Sequence, residues 1–326
     1  METMQLPQLV TIFGGSGFVG RHIVRALAKR GYRVRVATRR PDLAFHLQPL
    51  GNVGQIMPVQ ANLRYRDSVD AAVAGADHVI NCVGILSESG RNTFDAVQDF
   101  GARAIAEAAR AAGATLTHIS AIGADAESES GYARTKGLAE NAIRKIKPDA
   151  VILRPSVVFG PEDDFFNRFA EMARFSPVLP LIGGGHTRFQ PVYVGDVAEM
   201  AARSVDGLLS AGTTYELGGP EVLTFRECLE EMLDVIHRQR GFVTLPWGLA
   251  SFIGSVAGLI PFINPPITAD QVINLKADNV VSKDAVDEGR TLKGQNIRAT
   301  SIEAILPSYL VRYRPHGQYS RAGKSA

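Results

Sequence analysis

Apolar positions along the first half of the chain follow two alternating periods. Short runs rich in Val, Ile and Leu stand at Leu9–Phe13, Arg33–Thr38, Gln55–Val59, His78–Val83, Thr115–Ser120 and Ala150–Pro155. Between them, Gly20–Arg30, Phe94–Ala112 and Ala133–Ile146 carry apolar residues three and four apart. The first pattern predicts strands and the second predicts amphipathic helices. Strands alternating with helices predict βαβ units and a parallel sheet covered on both faces. The expected fold class is therefore α/β: a doubly wound parallel sheet, followed by a smaller, mainly helical C-terminal part.

After Pro155 the pattern loosens. Gly183-Gly184-Gly185 marks a loop, and Gln190–Val194 predicts a short strand. Asp196 is expected to N-cap a helix over Val197–Asp206. Tyr215–Leu217 predicts a strand, and Thr224 is expected to cap a helix running to Gln239. From Gly241 to Ala269 there is no charged residue, and Pro246, Pro261, Pro265 and Pro266 interrupt the stretch. Arg312, Arg314, Arg321 and Lys324 give the C-terminus the look of a solvated basic tail.

Composition narrows the picture. The chain is 45% apolar and 21% charged, which is ordinary for a globular protein with a real core. A net charge of +2 gives no field that would point to nucleic acid, and none is expected as a partner. Two cysteines, Cys82 and Cys228, cannot build a disulfide framework. Cys82 is expected as a buried strand residue. The seven histidines have no metal-ligand spacing, so no metal is expected. No apolar run reaches the roughly 20 residues a spanning helix needs. No signal or Arg-rich presequence pattern precedes the first strand, so the expectation is a cytosolic chain or an already processed form.

The first strand runs into Gly14-Gly15-Ser16-Gly17-Phe18-Val19-Gly20. Gly14 allows the sharp turn, Gly17 lets backbone approach a pyrophosphate, and Gly20 lets the helix pack close to the sheet. A glycine pattern alone is weak, but this one leaves a strand and opens a helix at the head of βαβ units, which is the Rossmann context. After the second strand stand Thr38-Arg39-Arg40, where an acidic residue would bind a ribose 2′-hydroxyl. Two guanidiniums suit a 2′-phosphate, so NADP(H) is favoured over NAD(H). Asn62 and Leu63 after the third strand, and Val83 and Gly84 after the fourth, complete the expected cofactor contacts.

Tyr132 and Lys136 form Y-x-x-x-K, one turn apart on a predicted helix, and Ser120 ends the preceding strand. With the glycine pattern about 110 residues earlier, the set resembles the extended and atypical short-chain dehydrogenases/reductases. The resemblance implies a tyrosine proton donor or acceptor, a lysine that lowers its pKa and holds the nicotinamide ribose, and a serine that orients a carbonyl. It assigns these roles to Tyr132, Lys136 and Ser120, either for turnover or only to hold the cofactor. It also implies that Pro155, Ser156 and Val157 flank the nicotinamide.

Past this helix the resemblance narrows. Gly160-Pro161-Glu162-Asp163-Asp164-Phe165-Phe166-Asn167, Arg188-Phe189-Gln190-Pro191-Val192-Tyr193-Val194-Gly195-Asp196, Leu245-Pro246-Trp247 and Pro265-Pro266-Ile267-Thr268 are similar to the accessory NAD(P)H-binding subunits of respiratory complex I (NADH:ubiquinone oxidoreductase) and their α-proteobacterial relatives. That family implies a structural, stabilising NADPH near the quinone site and membrane arm, the other complex I subunits as partners, and a peripheral place on the cytoplasmic face of a bacterial inner membrane. The alternative is a free NADPH-dependent reductase or epimerase acting on a small carbonyl or sugar-nucleotide substrate. Residues 1–240 are expected to form the NAD(P)-binding domain, with a short insertion around 161–189. Residues 241–326 are expected to supply a partner or membrane contact and the tail. The uncharged stretch 241–269 is compatible with core packing, a partner face or a short helix at a membrane surface.

Overall fold

A computed structural model describes residues 7–88, 90–258 and 268–316. The chain forms two compact units. The first comprises Met1–Pro155, Val194–Leu217 and Val281–Ile297, and the second Ser156–Tyr193, Gly218–Val280 and Arg298–Ala326.

The first unit is built on a parallel sheet. Its strands are β1 (Leu9–Phe13), β2 (Arg33–Thr38), β3 (Ile56–Gln60), β4 (His78–Asn81), β5 (Thr115–Ile119), β6 (Val151–Pro155) and the strand Thr214–Leu217. Their spatial order is Thr214–Leu217, β6, β5, β4, β1, β2, β3. The order reverses at β1, between β2 and β4, and such a switch point opens a crevice at the carboxyl ends of the strands. The strands bury Val10, Ile12, Val34, Val36, Ile80 and Leu153 because both sheet faces are covered. The expected Rossmann architecture is what forms.

The helices follow the apolar periods. Helix α1 (Phe18–Lys29) buries Ile23, Val24 and Leu27. Helix α2 spans Arg66–Val73. Helix α3 (Gly101–Ala111) continues a π-helical turn, Asp95–Phe100, and buries Ala102, Ile105, Ala106, Ala108 and Ala109. Small side chains on that face let the helix lie close to its neighbours. Helix α4 (Gly131–Ile146) is capped by Ser130, whose side chain accepts from Ala133 N.

Several boundaries differ from the sequence reading. The fourth strand stops at Asn81 because Asn81 Oδ1 accepts from Val83 N at 3.0 Å, turning the chain. Cys82 thus lies just beyond the strand and is partly exposed as a residue, although burial of its thiol pushes the pKa up to about 12. The helix expected to start after Asp196 begins earlier, at Val194. Asp196 sits inside its first turn, where the helix dipole favours a carboxylate.

The second unit has an aromatic core. Phe159, Phe166, Phe169, Phe189 and Phe225 are buried there, and Phe165 meets Phe166 and Phe169 edge-on at centroid distances of 5.0 and 5.5 Å. Thr224 caps the helix Phe225–Val235 as expected, in a reciprocal capping box with Glu227. That helix ends before Gln239, and His237 turns the chain at φ 54°. Within the uncharged stretch, Gly241–Leu245 pairs in parallel with Val178–Ile182, and a helix runs over Trp247–Gly258. Trp247 packs with Ile182, Ala250 and Val272, while Leu249, Phe252 and Ile253 stay exposed. Residues 259–267, which include Pro261, Pro265 and Pro266, lie outside the described residues, as do Arg321 and Lys324. Among the described residues, no helix is long and apolar enough to cross a membrane.

Candidate dinucleotide site

The glycine loop leaves β1 at the switch point. Gly14 has φ +76°, and a Cβ there would lie 3.1 Å from Cys82 C and 3.2 Å from Val83 N. The loop therefore presses its backbone against the chain that leaves β4. Gly14 N donates to Ala37 O at the end of β2. A Cβ on Gly20 would stand 2.2 Å from Gly14 O, so any other residue would have to displace the glycine loop. Gly15 is hemmed in by Val36, Ile12 and Val24. Gly17 occupies the N-cap of α1 with no side-chain cap, and the first turn holds no acidic residue. The helix thus offers its positive end and free N–H groups beside Ser16, Phe18 and Val19, which is the arrangement that binds phosphate.

Beyond the neighbouring strands, Arg39 Nη1 donates to Asn92 Oδ1 at 3.1 Å. Arg40 is ion-paired with Asp42 at 2.7 Å on the open surface. Asn62 Oδ1 accepts from Arg64 N at 3.2 Å, and the Leu63 side chain fills the space left by the missing Cβ of Gly101. Gly84 lies beside Lys136, where a Cβ would come within 3.4 Å of Nζ.

Tyr132 and Lys136 lie one turn apart on α4, and Tyr132 meets Phe94 edge-on at 6.1 Å. Lys136 is buried, and Nζ donates to Ile119 O at 3.0 Å. Burial lowers its pKa to about 8, opposed by the Glu140 carboxylate. Ser120 faces a different partner. Its hydroxyl donates to Glu140 Oε1 at 2.5 Å. Glu140 is fully buried and also accepts from Arg154 Nε at 2.8 Å, Arg154 Nη2 at 2.7 Å and Arg144 Nη2 at 2.8 Å. The hydrogen bond to Glu140 raises the Arg154 pKa further. The structure therefore brings Lys136 to the end of β5 and ties Ser120 into a carboxylate–guanidinium hub.

The sequence pattern does not mark Glu140 as a site residue. Glu140 left one signal: it falls on the buried face of its helix, four residues after Lys136. His118 is also buried, with both ring nitrogens unpartnered among the described residues. Burial, then the Lys136 charge, holds its pKa well below the usual imidazole value. Pro155 ends β6, and its carbonyl accepts from Ile122 N. In the second unit, Ser156 Oγ lies 2.8 Å from Asn279 O, and Val157 O accepts from Val192 N. No group of metal-binding side chains occurs among the described residues.

A cradle that any Cβ would fill, an uncapped helix start and a buried lysine beside a glycine fit an NAD(P) dinucleotide. Fold and site define a dinucleotide-binding protein of the short-chain dehydrogenase/reductase type. The chain belongs to the NAD dependent epimerase/dehydratase family, whose profile matches residues 10–218. It is 36% identical over 320 residues to NADH dehydrogenase [ubiquinone] 1 alpha subcomplex subunit 9, mitochondrial, of Arabidopsis thaliana, covering 95% of this chain and 79% of that one. It is 37% identical over 190 residues to ceramide reductase of Caulobacter vibrioides, covering 58% of each chain. A solved structure of the Escherichia coli NADPH-dependent quinone oxidoreductase QOR2 with NADPH superposes at TM-score 0.72, with 20% identity, over 93% of this chain and 99% of that one.

Proposed function

We propose that the chain is an accessory subunit of respiratory complex I that holds NADPH as a structural group, without turnover. The observation that carries this reading is the reach of the likeness. Similarity to the complex I subunit runs through 95% of the chain, whereas similarity to the ceramide reductase covers 58%. The site geometry agrees. Ser120, the residue expected to orient a carbonyl, donates its hydroxyl proton to Glu140 instead.

In this reading, the glycine loop and the start of α1 hold the pyrophosphate, and Tyr132 and Lys136 hold the nicotinamide ribose. The lack of a carboxylate at residues 37–40, with Arg39 in its place, favours NADPH over NADH. A bound nicotinamide supplies hydride-transfer chemistry, but this chain uses the group to fix the fold around it. The partners are the other complex I subunits. The location is peripheral, on the cytoplasmic face of a bacterial inner membrane near the quinone site and the membrane arm. The exposed residues Leu249, Phe252 and Ile253 give the uncharged stretch a surface for a partner or lipid.

The test is solubilisation of native membranes in mild detergent, followed by a native gel and mass spectrometry of the bands. Comigration with other complex I subunits is expected. Recovery of the protein alone in the soluble fraction would overturn the reading and return attention to a free reductase, with Tyr132→Phe as the control for turnover.

A further inference from the structure

Three arginines of the second unit hold charge that no carboxylate balances among the described residues. Arg238 Nε donates to Tyr313 O, Arg314 Nε to Val235 O and Arg240 Nε to Ala173 O, each at 2.8 Å. Arg240 Nη1 donates to Gln239 O as well. A carbonyl oxygen fixes a guanidinium but cannot neutralise it. Elsewhere in this unit Arg168, Arg174, Arg188 and Arg226 pair with Asp164, Glu171, Asp278 and Glu230. Residues 259–267 and 317–326 contain neither Asp nor Glu, so their sequence offers no acidic side chain to the cluster.

The fold gathers these side chains at the ends of two helices. Arg238 lies just past the helix Phe225–Val235 and grips the backbone at Tyr313. Arg314, next to Tyr313, grips the last residue of that helix in return. Arg240 reaches the last turn of the helix Phe166–Phe175, and Gly241 N donates to Pro177 O. The pKa of Arg238 is lowered, by burial first and then by the charges of Arg240 and Arg174. The Arg174 guanidinium lies over the ring of Phe175, 5.2 Å from its centroid. Phe175 is 77% exposed, and Val178, three residues on, is exposed too.

We infer that this patch, Arg238, Arg240 and Arg314 with Phe175 at its edge, docks an acidic segment of another complex I subunit. The inference rests on the complex I reading above and names a surface that would serve it. Charge complementarity sets the chemistry of the partner, because carboxylates supply the missing counter-charge and accept from guanidinium forks. Arginine beside an exposed aromatic ring is the composition of a protein interface, where lysine is depleted. The patch contains no lysine. The bonds through Nε hold the three side chains in place beforehand, so little side-chain freedom is lost on docking.

The test uses the full chain in native membranes, with Phe175 replaced by the photo-cross-linker p-benzoylphenylalanine. Cross-linked peptides are identified by mass spectrometry, and each variant is scored for comigration with complex I and for retained NADPH. A cross-link to a complex I subunit, in a segment rich in Asp and Glu, is expected. Arg238→Gln combined with Arg240→Gln should lower its yield about tenfold, the worth of one charge-assisted hydrogen bond, with NADPH retained. Arg238→Lys combined with Arg240→Lys loses the same backbone bonds but keeps the charge, and should recover part of the yield. A cross-link into a segment without acidic residues, or a yield untouched by the glutamine pair, overturns the docking surface and leaves the complex I reading standing. A lysine pair as poor as the glutamine pair does the same. So does binding of the purified protein to phosphatidylglycerol vesicles that disappears with the glutamine pair, which assigns the patch to a lipid surface. Wild-type protein that fails to comigrate with complex I defeats the reading itself, and the surface with it.

Discussion

Replacing Lys136 by Met should stabilise the nucleotide-free protein at neutral pH while weakening its hold on the cofactor. The buried ammonium has its pKa lowered from 10.5 to about 8, and burial is the largest cause. At 1.36 kcal/mol per unit, that corresponds to a cost on the order of 3 kcal/mol borne by the folded state at pH 7. Met keeps an unbranched stem of similar length and removes the charge. It also gives up the bond to Ile119 O, about 1 kcal/mol. A net gain of about 1–2 kcal/mol is expected.

The pH dependence carries the sign. Between about pH 8 and 10.5 the unfolded lysine binds more protons than the folded one, so wild-type stability rises with pH relative to the variant. The advantage of Lys136→Met should therefore be full at pH 7 and vanish at about pH 10, where the remaining charge cost equals the lost bond. Urea denaturation at pH 7, 8, 9 and 10 reads this directly. Added NADPH should reverse the order, because a ligand that binds only the folded state stabilises in proportion to its affinity. A variant less stable than wild type at pH 7, or a gap that does not narrow as pH rises, would refute the reasoning.

Two other changes probe the scaffold of the site. Glu140→Ala leaves the half-buried Arg154 guanidinium with only the longer contact to Glu216 at 3.7 Å and should cost about 3 kcal/mol, seen as a large fall in thermal midpoint. Gly20→Ala drives a methyl into Gly14 O and should leave a folded protein that retains little nucleotide through purification, measured by chromatography of the released cofactor.

The sheet was legible because its signal is local. Strands buried on both faces need continuous Val and Ile runs, and β1 and β2 formed at the expected residues. The glycine loop and the Tyr132–Lys136 spacing were legible for the same reason, since each is a short-range geometric demand. What could not be read was who pairs with whom at a distance. Ser120 lies one position beyond the end of its strand rather than within it, and its hydroxyl is taken by Glu140, twenty positions away on another element. Arg39 and Arg40 look equivalent in sequence, and only the fold shows that Asp42 takes one and Asn92 the other. Asp196 misled because a helix start was inferred from its best capping residue, while apolar Val194 already belonged to the first turn.

The interleaved path of the chain matters during synthesis. The strand Thr214–Leu217, which covers β6, is anchored by Glu216 N donating to Arg290 O and by Arg290 Nη1 donating to Thr214 O. A ribosome that has finished β6 must add about 60 residues before that covering strand emerges, about 3–12 seconds at 5–20 residues per second. Through that interval the nascent sheet ends in an open edge of Val151, Ile152 and Leu153, a template for pairing with another chain. The anchoring segment emerges later still, so the nascent protein depends on protection of that edge until nearly the whole chain has been made.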